Sequence, residues 1–175
     1  MCSRPVLGYG FGTAPKSLVK TTRDTIQITD AAGKVIDPAY ELDAPDFIAL
    51  NGVLSSGVAV SLTIRGGPPF KNTPGLQWHL YGEKGEIRVT SSIAFLSFTS
   101  PDLKIEVHDF EKDDVEIVEI KGREFDDFEL GMPSDNVGRA YETIAEGKGN
   151  CAFEDAVERH RFLNSLWKEN GLEEM

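Results

Sequence analysis

Between Asp46 and Ser92 the chain runs in short alternations of apolar and polar residues broken by turn residues, and that pattern leaves few folds open. Val58, Val60, Leu62 and Ile64 alternate with Ala59, Ser61, Thr63 and Arg65, the period of two that marks a half-buried strand. Upstream, Ile48, Leu50 and Leu54 share a face with Gly52 in the same register, and Ser55-Ser56-Gly57 is short enough to close a hairpin. Downstream, Trp78 and Leu80 share a face, Gly82 to Gly85 supplies a turn, and Ile87 and Val89 resume the apolar side. The expectation is a four-strand antiparallel meander with one long interruption.

The flanks extend this pattern. Thr25–Thr29 reads as a short strand, Asp30 to Lys34 as a turn with Gly33 at its tight position, and Val35-Ile36 as the start of a return strand. Pro38 to Pro45 reads as a linker. Ile93–Phe98 is a further apolar stretch, Leu103, Ile105 and Val107 alternate with polar residues, and Val115–Ile120 follows an acidic turn from Phe110 to Asp114. Strands joined by turn-length connections pair mainly antiparallel.

The period then changes. Ser134 or Asp135 is placed to cap a helix with Val137, Ala140, Tyr141, Ile144 and Ala145 on one stripe, ended by Gly147-Lys148-Gly149. A second helix is expected from about Glu154 to Asn170, with Ala156, Val157, His160, Leu163, Leu166 and Trp167 on its apolar stripe and Gly171 just beyond its end. The fold class expected is therefore α+β: an open-faced, mainly antiparallel β-sheet with two C-terminal helices packed on one face. Residues 1–23 read as an irregular lead-in and 24–175 as the domain proper.

A length of 175 residues suits one domain with a real core. The net charge of −11 argues against a nucleic-acid surface, which needs clustered Lys and Arg against phosphate. Most of the excess lies between Asp102 and Glu129, with twelve acidic residues against four basic ones. Cys2 and Cys151 show no pairing pattern, no apolar run is long enough to span a membrane, and the N-terminus lacks a signal-peptide core. The expected location is cytoplasmic, with no membrane partner.

Most tempting motifs fail on spacing. Gly8-Tyr9-Gly10-Phe11-Gly12 lacks the preceding strand and third glycine of a dinucleotide fingerprint, and Pro15 interrupts the helix that should follow. Asp109, Glu111 and Asp113 have calcium-loop spacing, but Asp114 stands where Gly is required and Ile120 where the bidentate Glu belongs, which leaves a solvated hairpin tip. His79, His108 and His160 are not spaced as metal ligands, and His160 reads as a packing residue. No metal is expected. What remains is Arg65 to Trp78 (RGGPPFKNTPGLQW), a connection longer than folding needs. Arg65, Lys71, Asn72 and Trp78 offer cations, an amide and an aromatic surface suited to a polyhydroxylated or anionic small ligand, and are the candidate substrate-binding residues. The same glycines and prolines equally suit an ordinary structural loop.

Taken together, Gly52-x-Leu54 with Ser55-Ser56-Gly57, Arg65-Gly66-Gly67-x-Pro69-Phe70 and Trp78-x-Leu80-Tyr81-Gly82-Glu83-Lys84-Gly85-Glu86-Ile87 resemble the C-terminal domain of the Gfo/Idh/MocA oxidoreductases, in particular their fungal branch of galactose regulators. The ending from Phe153 through His160 to Trp167 resembles that family's closing helix, so the resemblance covers about residues 21–170. It implies an open-faced sheet that walls a substrate pocket on its helix side and forms a homo-oligomer through its bare face, where Ala59, Ser61, Thr63, Gln77, His79 and Tyr81 are expected. It also implies a separate N-terminal Rossmann domain for NAD(P), which is absent here. So are the family's Glu-Lys-Pro motif and the helix carrying its catalytic histidine, and none of the three histidines takes that role. The resemblance thus implies a substrate-pocket and oligomerisation domain of an NAD(P)-dependent sugar or polyol oxidoreductase, with no catalytic residue and no cofactor site of its own. Its alternative is a non-catalytic transcriptional co-regulator.

Overall fold

The computed structural model describes residues 10–94, 102–119, 134–147 and 152–172. Among these, nine strands precede two helices. The strands are β1 (Lys16–Lys20), β2 (Thr25–Thr29), β3 (Val35–Glu41), β4 (Phe47–Val53), β5 (Ala59–Arg65), β6 (Leu76–Tyr81), β7 (Gly85–Ser91), β8 (Lys104–Asp109) and β9 (Asp114–Ile117). The helices are α1 (Ser134–Ala145) and α2 (Phe153–Glu169). The chain divides into two compact units, Met1–Gly66 with Gly149–Met175, and Gly67–Lys148.

The mainly antiparallel α+β class holds, but the expected continuous meander does not. β4 and β5 join β1 in one sheet of order β1-β4-β5, β2 and β3 form a separate hairpin, and β6 to β9 form a third sheet in sequence order. The break falls in the Gly-Gly-Pro-Pro connection after β5. Its prolines lack amide donors, and its length far exceeds a hairpin loop, so it does not form the tight turn by which Ser55-Ser56-Gly57 joins β4 to β5.

Two further expectations are corrected. The lead-in is not irregular throughout, because Lys16–Lys20 pairs with β4 as an edge strand. The linker begins later than Pro38, because β3 runs to Glu41, with register shifts along the hairpin that tolerate a proline in an edge strand. The Ile93–Phe98 stretch lies largely outside the described residues, as do Gly8, Tyr9 and Ile120.

In the first unit one sheet face carries Val19, Ile48, Leu50, Leu62 and Ile64 in cross-strand register. Val19, Leu50 and Leu166 of α2 are buried, whereas Leu62 and Ile64 on β5 are half exposed. The helix therefore covers the β1 side and stops short of β5. Phe11 stacks on Phe162 with ring centroids 5.5 Å apart. A Cβ on Gly52 would meet the Phe11 ring at 2.8 Å, which explains the glycine in the middle of β4.

Residue 170 fastens α2 to the sheet. Asn170 Oδ1 accepts the outward-facing amide of Val19 at 3.0 Å, and its Nδ2 donates to Ser17 Oγ at 2.9 Å. The outer edge of β1 thus finds a side-chain partner where a further strand would sit. Gly171 (φ 71°) then takes the left-handed position that ends the helix, as expected. One residue on this helix reads differently from its spacing: His160 is exposed. It lies about 120° around the helix from Leu166, on the rim of the stripe that the sheet buries.

Asp46 ties the strand ends together. Its Oδ1 accepts the Thr22 amide (2.6 Å) and hydroxyl (2.8 Å), and its Oδ2 pairs with Arg23 Nε at 2.6 Å. The Thr22 amide bond, with the Arg23 bond next, lowers its pKa from 3.8 to about 2. A depressed carboxylate pKa adds stability that is complete above 3.8 and lost as pH falls through about 2. Acid titration of the unfolding midpoint should therefore fall between pH 4 and 2, and Asp46→Asn should shallow that fall. An unchanged slope in the variant would remove Asp46 from the account.

Candidate functional site

The second unit is built on the β6-β7-β8-β9 sheet, whose register sorts side chains onto two unlike faces. Trp78 lies opposite Val89 and Leu80 opposite Ile87, while Val89 and Ile87 lie opposite Ile105 and Val107. This is the apolar face, and Val89 is its buried centre. The reverse face is a grid of charge and aromatic surface. His79 lies opposite Arg88, Arg88 opposite Glu106, Glu86 opposite His108, and β9 completes the rows with Ile117 beside Glu106 and Val115 beside His108.

The charges on this face are paired. His79 Nδ1 sits 2.6 Å from Glu86 Oε1, and His108 Nε2 sits 3.0 Å from Asp113 Oδ1. Glu106 is nearly buried and receives Lys104 Nζ at 2.7 Å on one oxygen and Arg88 Nη2 at 2.9 Å on the other. The Lys104 hydrogen bond, then that of Arg88, holds the Glu106 carboxyl below its usual range, outweighing the desolvation that opposes it. His79, Glu86, Arg88, Glu106, His108 and Val115 line a depression of about 130 Å³. That is well under the ~300 Å³ lower bound of ordinary small-molecule pockets. Among the described residues no three His, Cys, Asp or Glu side chains are placed to hold a metal ion.

Exposed apolar surface borders the charges. Tyr81 is 80% exposed and Ile117 62%. The Tyr81 ring lies 5.4 Å from that of Phe110, which in turn meets His108 edge-on at 5.1 Å. Hairpin chemistry fixes this corner. Asp109 Oδ1 accepts the amides of Glu111 and Lys112, and Asp113 adopts a left-handed φ of 51°. Of the acidic residues with calcium-loop spacing, Asp109 and Asp113 are thus engaged in shaping the β8–β9 turn.

The four residues singled out from sequence are not assembled at this face. Arg65 ends β5 in the first unit, where its Nη1 donates to the Gly66 carbonyl at 3.3 Å. Lys71 and Asn72 share an exposed turn in the second unit, closed by the Thr73 amide and hydroxyl donating to the Phe70 carbonyl, with Asn72 at φ 64°. Trp78 lies on the apolar face of β6 and is 42% exposed. Of the residues expected on a bare face, Gln77, His79 and Tyr81 share one in the second unit. Ala59, Ser61 and Thr63 belong to the first unit's separate sheet.

Antiparallel strands followed by two C-terminal helices are what the sequence led one to expect, and membership of the Gfo/Idh/MocA family is consistent with the matches found. More narrowly, residues 6–91 match the family model for the C-terminal domain of Gal80p. No curated protein matches the chain. Among solved structures, a super-repressor mutant of Gal80p from Saccharomyces cerevisiae aligns with a TM-score of 0.69 at 21% identity, over 90% of this chain and 42% of that one. The transcriptional regulator Gal80p from Kluyveromyces lactis aligns with a TM-score of 0.68 at 20% identity, over 90% of this chain and 38% of that one. At these identities the likeness is one of fold, and the chain spans less than half the length of either relative.

Proposed function

We propose that the chain is a protein-association domain of a Gal80p-like transcriptional co-regulator, and that it self-associates through the charged face of the β6–β9 sheet. The observation that carries this reading is the face itself. Tyr81, Phe110, Val115 and Ile117 present exposed apolar surface around charges of both signs, Arg88 and Lys104 with Glu86, Glu106 and Asp113. Aromatic surface and arginine at the centre are the marks of interfaces, and a surface carrying both signs is self-complementary about a two-fold axis. A regulator works by contact, and this face needs no cofactor to do so. A cytoplasmic setting suits it, and no described helix is long and apolar enough to cross a membrane.

Sedimentation of the purified chain tests the reading. A species of about twice 19.2 kDa is expected at micromolar concentration.

The exposed turn bearing Lys71 and Asn72 favours a second reading. In it the chain walls the substrate pocket of an NAD(P)-dependent sugar or polyol oxidoreductase, with Lys71 and Asn72 contacting the sugar-like ligand and NAD(P) held by a Rossmann domain. Saturable sugar binding that Lys71→Ala and Asn72→Ala abolish would favour that reading over the first.

A further inference from the structure

We propose that Asn170-Gly171 is a self-modification site, at which spontaneous deamidation undoes the clasp between α2 and the edge of β1. This is independent of what the β6–β9 face binds.

An asparagine followed by glycine is the pair most open to this reaction, because glycine carries no side chain to keep its nitrogen away from the preceding amide carbon. The chain has two such pairs, Asn51-Gly52 and Asn170-Gly171, and its other four asparagines precede Thr73, Val137, Cys151 and Ser165. In the reaction the Gly171 amide nitrogen, having lost its proton to a solvent base, attacks Asn170 Cγ. The new N–Cγ bond closes a cyclic imide, and the Cγ–Nδ2 bond breaks to release ammonia. Water then opens the ring at either carbonyl. One opening leaves aspartate on the original main chain, the other isoaspartate with the main chain rerouted through Cγ. The net change is amide and water to acid and ammonia, with nothing oxidised or reduced.

The fold restrains both reactants at residue 170. Asn170 Oδ1 accepts the Val19 amide at 3.0 Å, and Nδ2 donates to Ser17 Oγ at 2.9 Å and to the Leu166 carbonyl at 2.8 Å. The Gly171 amide donates to the Lys168 carbonyl at 3.2 Å. These bonds close the last turn of α2, where a helix opens most readily, and Gly171 is exposed. Asn51 is held differently. Although exposed, it sits in the central strand β4, in register with Lys16 of β1 on one side and Ser61 of β5 on the other. Freeing its backbone requires the sheet to open, whereas freeing Asn170 requires only a helix end.

Conversion removes half of the clasp. Aspartate can still accept the Val19 amide, but it has no hydrogen to donate to Ser17 or Leu166. It also sets a negative charge against the Leu166 carbonyl at the negative end of the α2 dipole, beside Glu169, which already accepts the Ser17 hydroxyl at 3.2 Å. Isoaspartate lengthens the main chain by one carbon and carries the carboxylate off its partners. Either product loosens α2 from β1.

Peptide mass mapping of the full chain, aged in parallel in neutral buffer and in denaturing urea, tests the site. In urea Asn51 and Asn170 are expected to convert at similar rates, ahead of the other four asparagines. In native buffer Asn170 is expected to convert at least about tenfold faster than Asn51, because a helix end opens more readily than a central strand. Ser17→Ala, which takes away one acceptor of the amide, should speed native conversion at Asn170 severalfold and leave the rate in urea unchanged. Asn170→Asp, which copies one product, should lower the urea midpoint and open α2 to proteolysis. Equal native rates at Asn51 and Asn170 overturn the site, as does an Asn170 that stays intact natively for the time in which it converts fully in urea. A Ser17→Ala chain that converts no faster overturns the clasp as the restraint. An Asn170→Asp chain as stable and as protease-resistant as the parent overturns the release of α2.

Discussion

Replacing Gly85 with valine should destabilise the β6–β9 sheet by about 2–4 kcal/mol, the cost of forcing bulk into a packed position. Gly85 opens β7 directly opposite Asp109, and a Cβ built on it would run into the carbonyl oxygen of His108. The obstacle is backbone held in a ladder, so it cannot rotate away as a side chain would. Gly82 closes the other side of the same turn, and its Cβ would meet only the Gly85 carbonyl oxygen at 3.4 Å. Gly82→Ala should therefore cost no more than about 1 kcal/mol. Urea unfolding of the two variants checks the contrast. Equal midpoints would mean that the tight approach of β7 to β8 is not what requires Gly85.

Tyr81→Asp should raise the dimer Kd about a hundredfold or more, the effect of losing a large aromatic contact and placing an unpaired charge there. The folded protomer should barely notice. Tyr81 is 80% exposed, and its ring partner among the described residues is Phe110 at 5.4 Å, a contact worth about 1 kcal/mol. The combination of a large loss in association with a small loss in unfolding free energy is the signature of an interface residue. Equal losses in both would make Tyr81 a folding residue. Trp78→Ala, on the opposite face of the same strand, serves as the comparison. It should cost stability rather than association.

Much of the fold was legible because strands and helices declare themselves by local periodicity. Eight of the strands, both helices and the Gly171 stop follow from alternation, stripe and helix end, although Ser134, expected as the cap of α1, is already inside it. What failed was non-local. β1 lies in a stretch whose only strand signal is Leu18 and Val19 among polar residues, and its partner, β4, begins 27 residues further on, after the β2–β3 hairpin. The split of one expected meander into two sheets turns on whether β5 pairs with β6, which no local pattern encodes.

The site was hidden for the same reason. Glu86-x-Arg88 and Lys104-x-Glu106-x-His108 read as the solvated sides of two strands, separated by more than a dozen residues. Only the register that sets Arg88 against both His79 and Glu106 turns them into one surface. Arg65, Lys71, Asn72 and Trp78 were chosen because a long loop on a rigid sheet is a common binding element. That loop joins the two units, and Trp78 faces away from the charged grid. The motif glycines, by contrast, have plain structural uses: Gly52 makes room for Phe11, Gly66 for the Arg23 guanidinium, and Gly85 for the β8 backbone. Part of the family resemblance is thus a record of packing.

The whole proposal reduces to one question, whether copies of this chain meet through the charged side of the second unit's sheet. Hydrogen exchange on the full chain, compared at concentrations well below and well above the dimer Kd at pH 7.5, addresses it directly. The account predicts that concentration slows exchange in the edge strand β9 and the Phe110–Asp113 turn, while the β2–β3 hairpin is unaffected. Protection confined to the first unit, or none at any concentration, would contradict it.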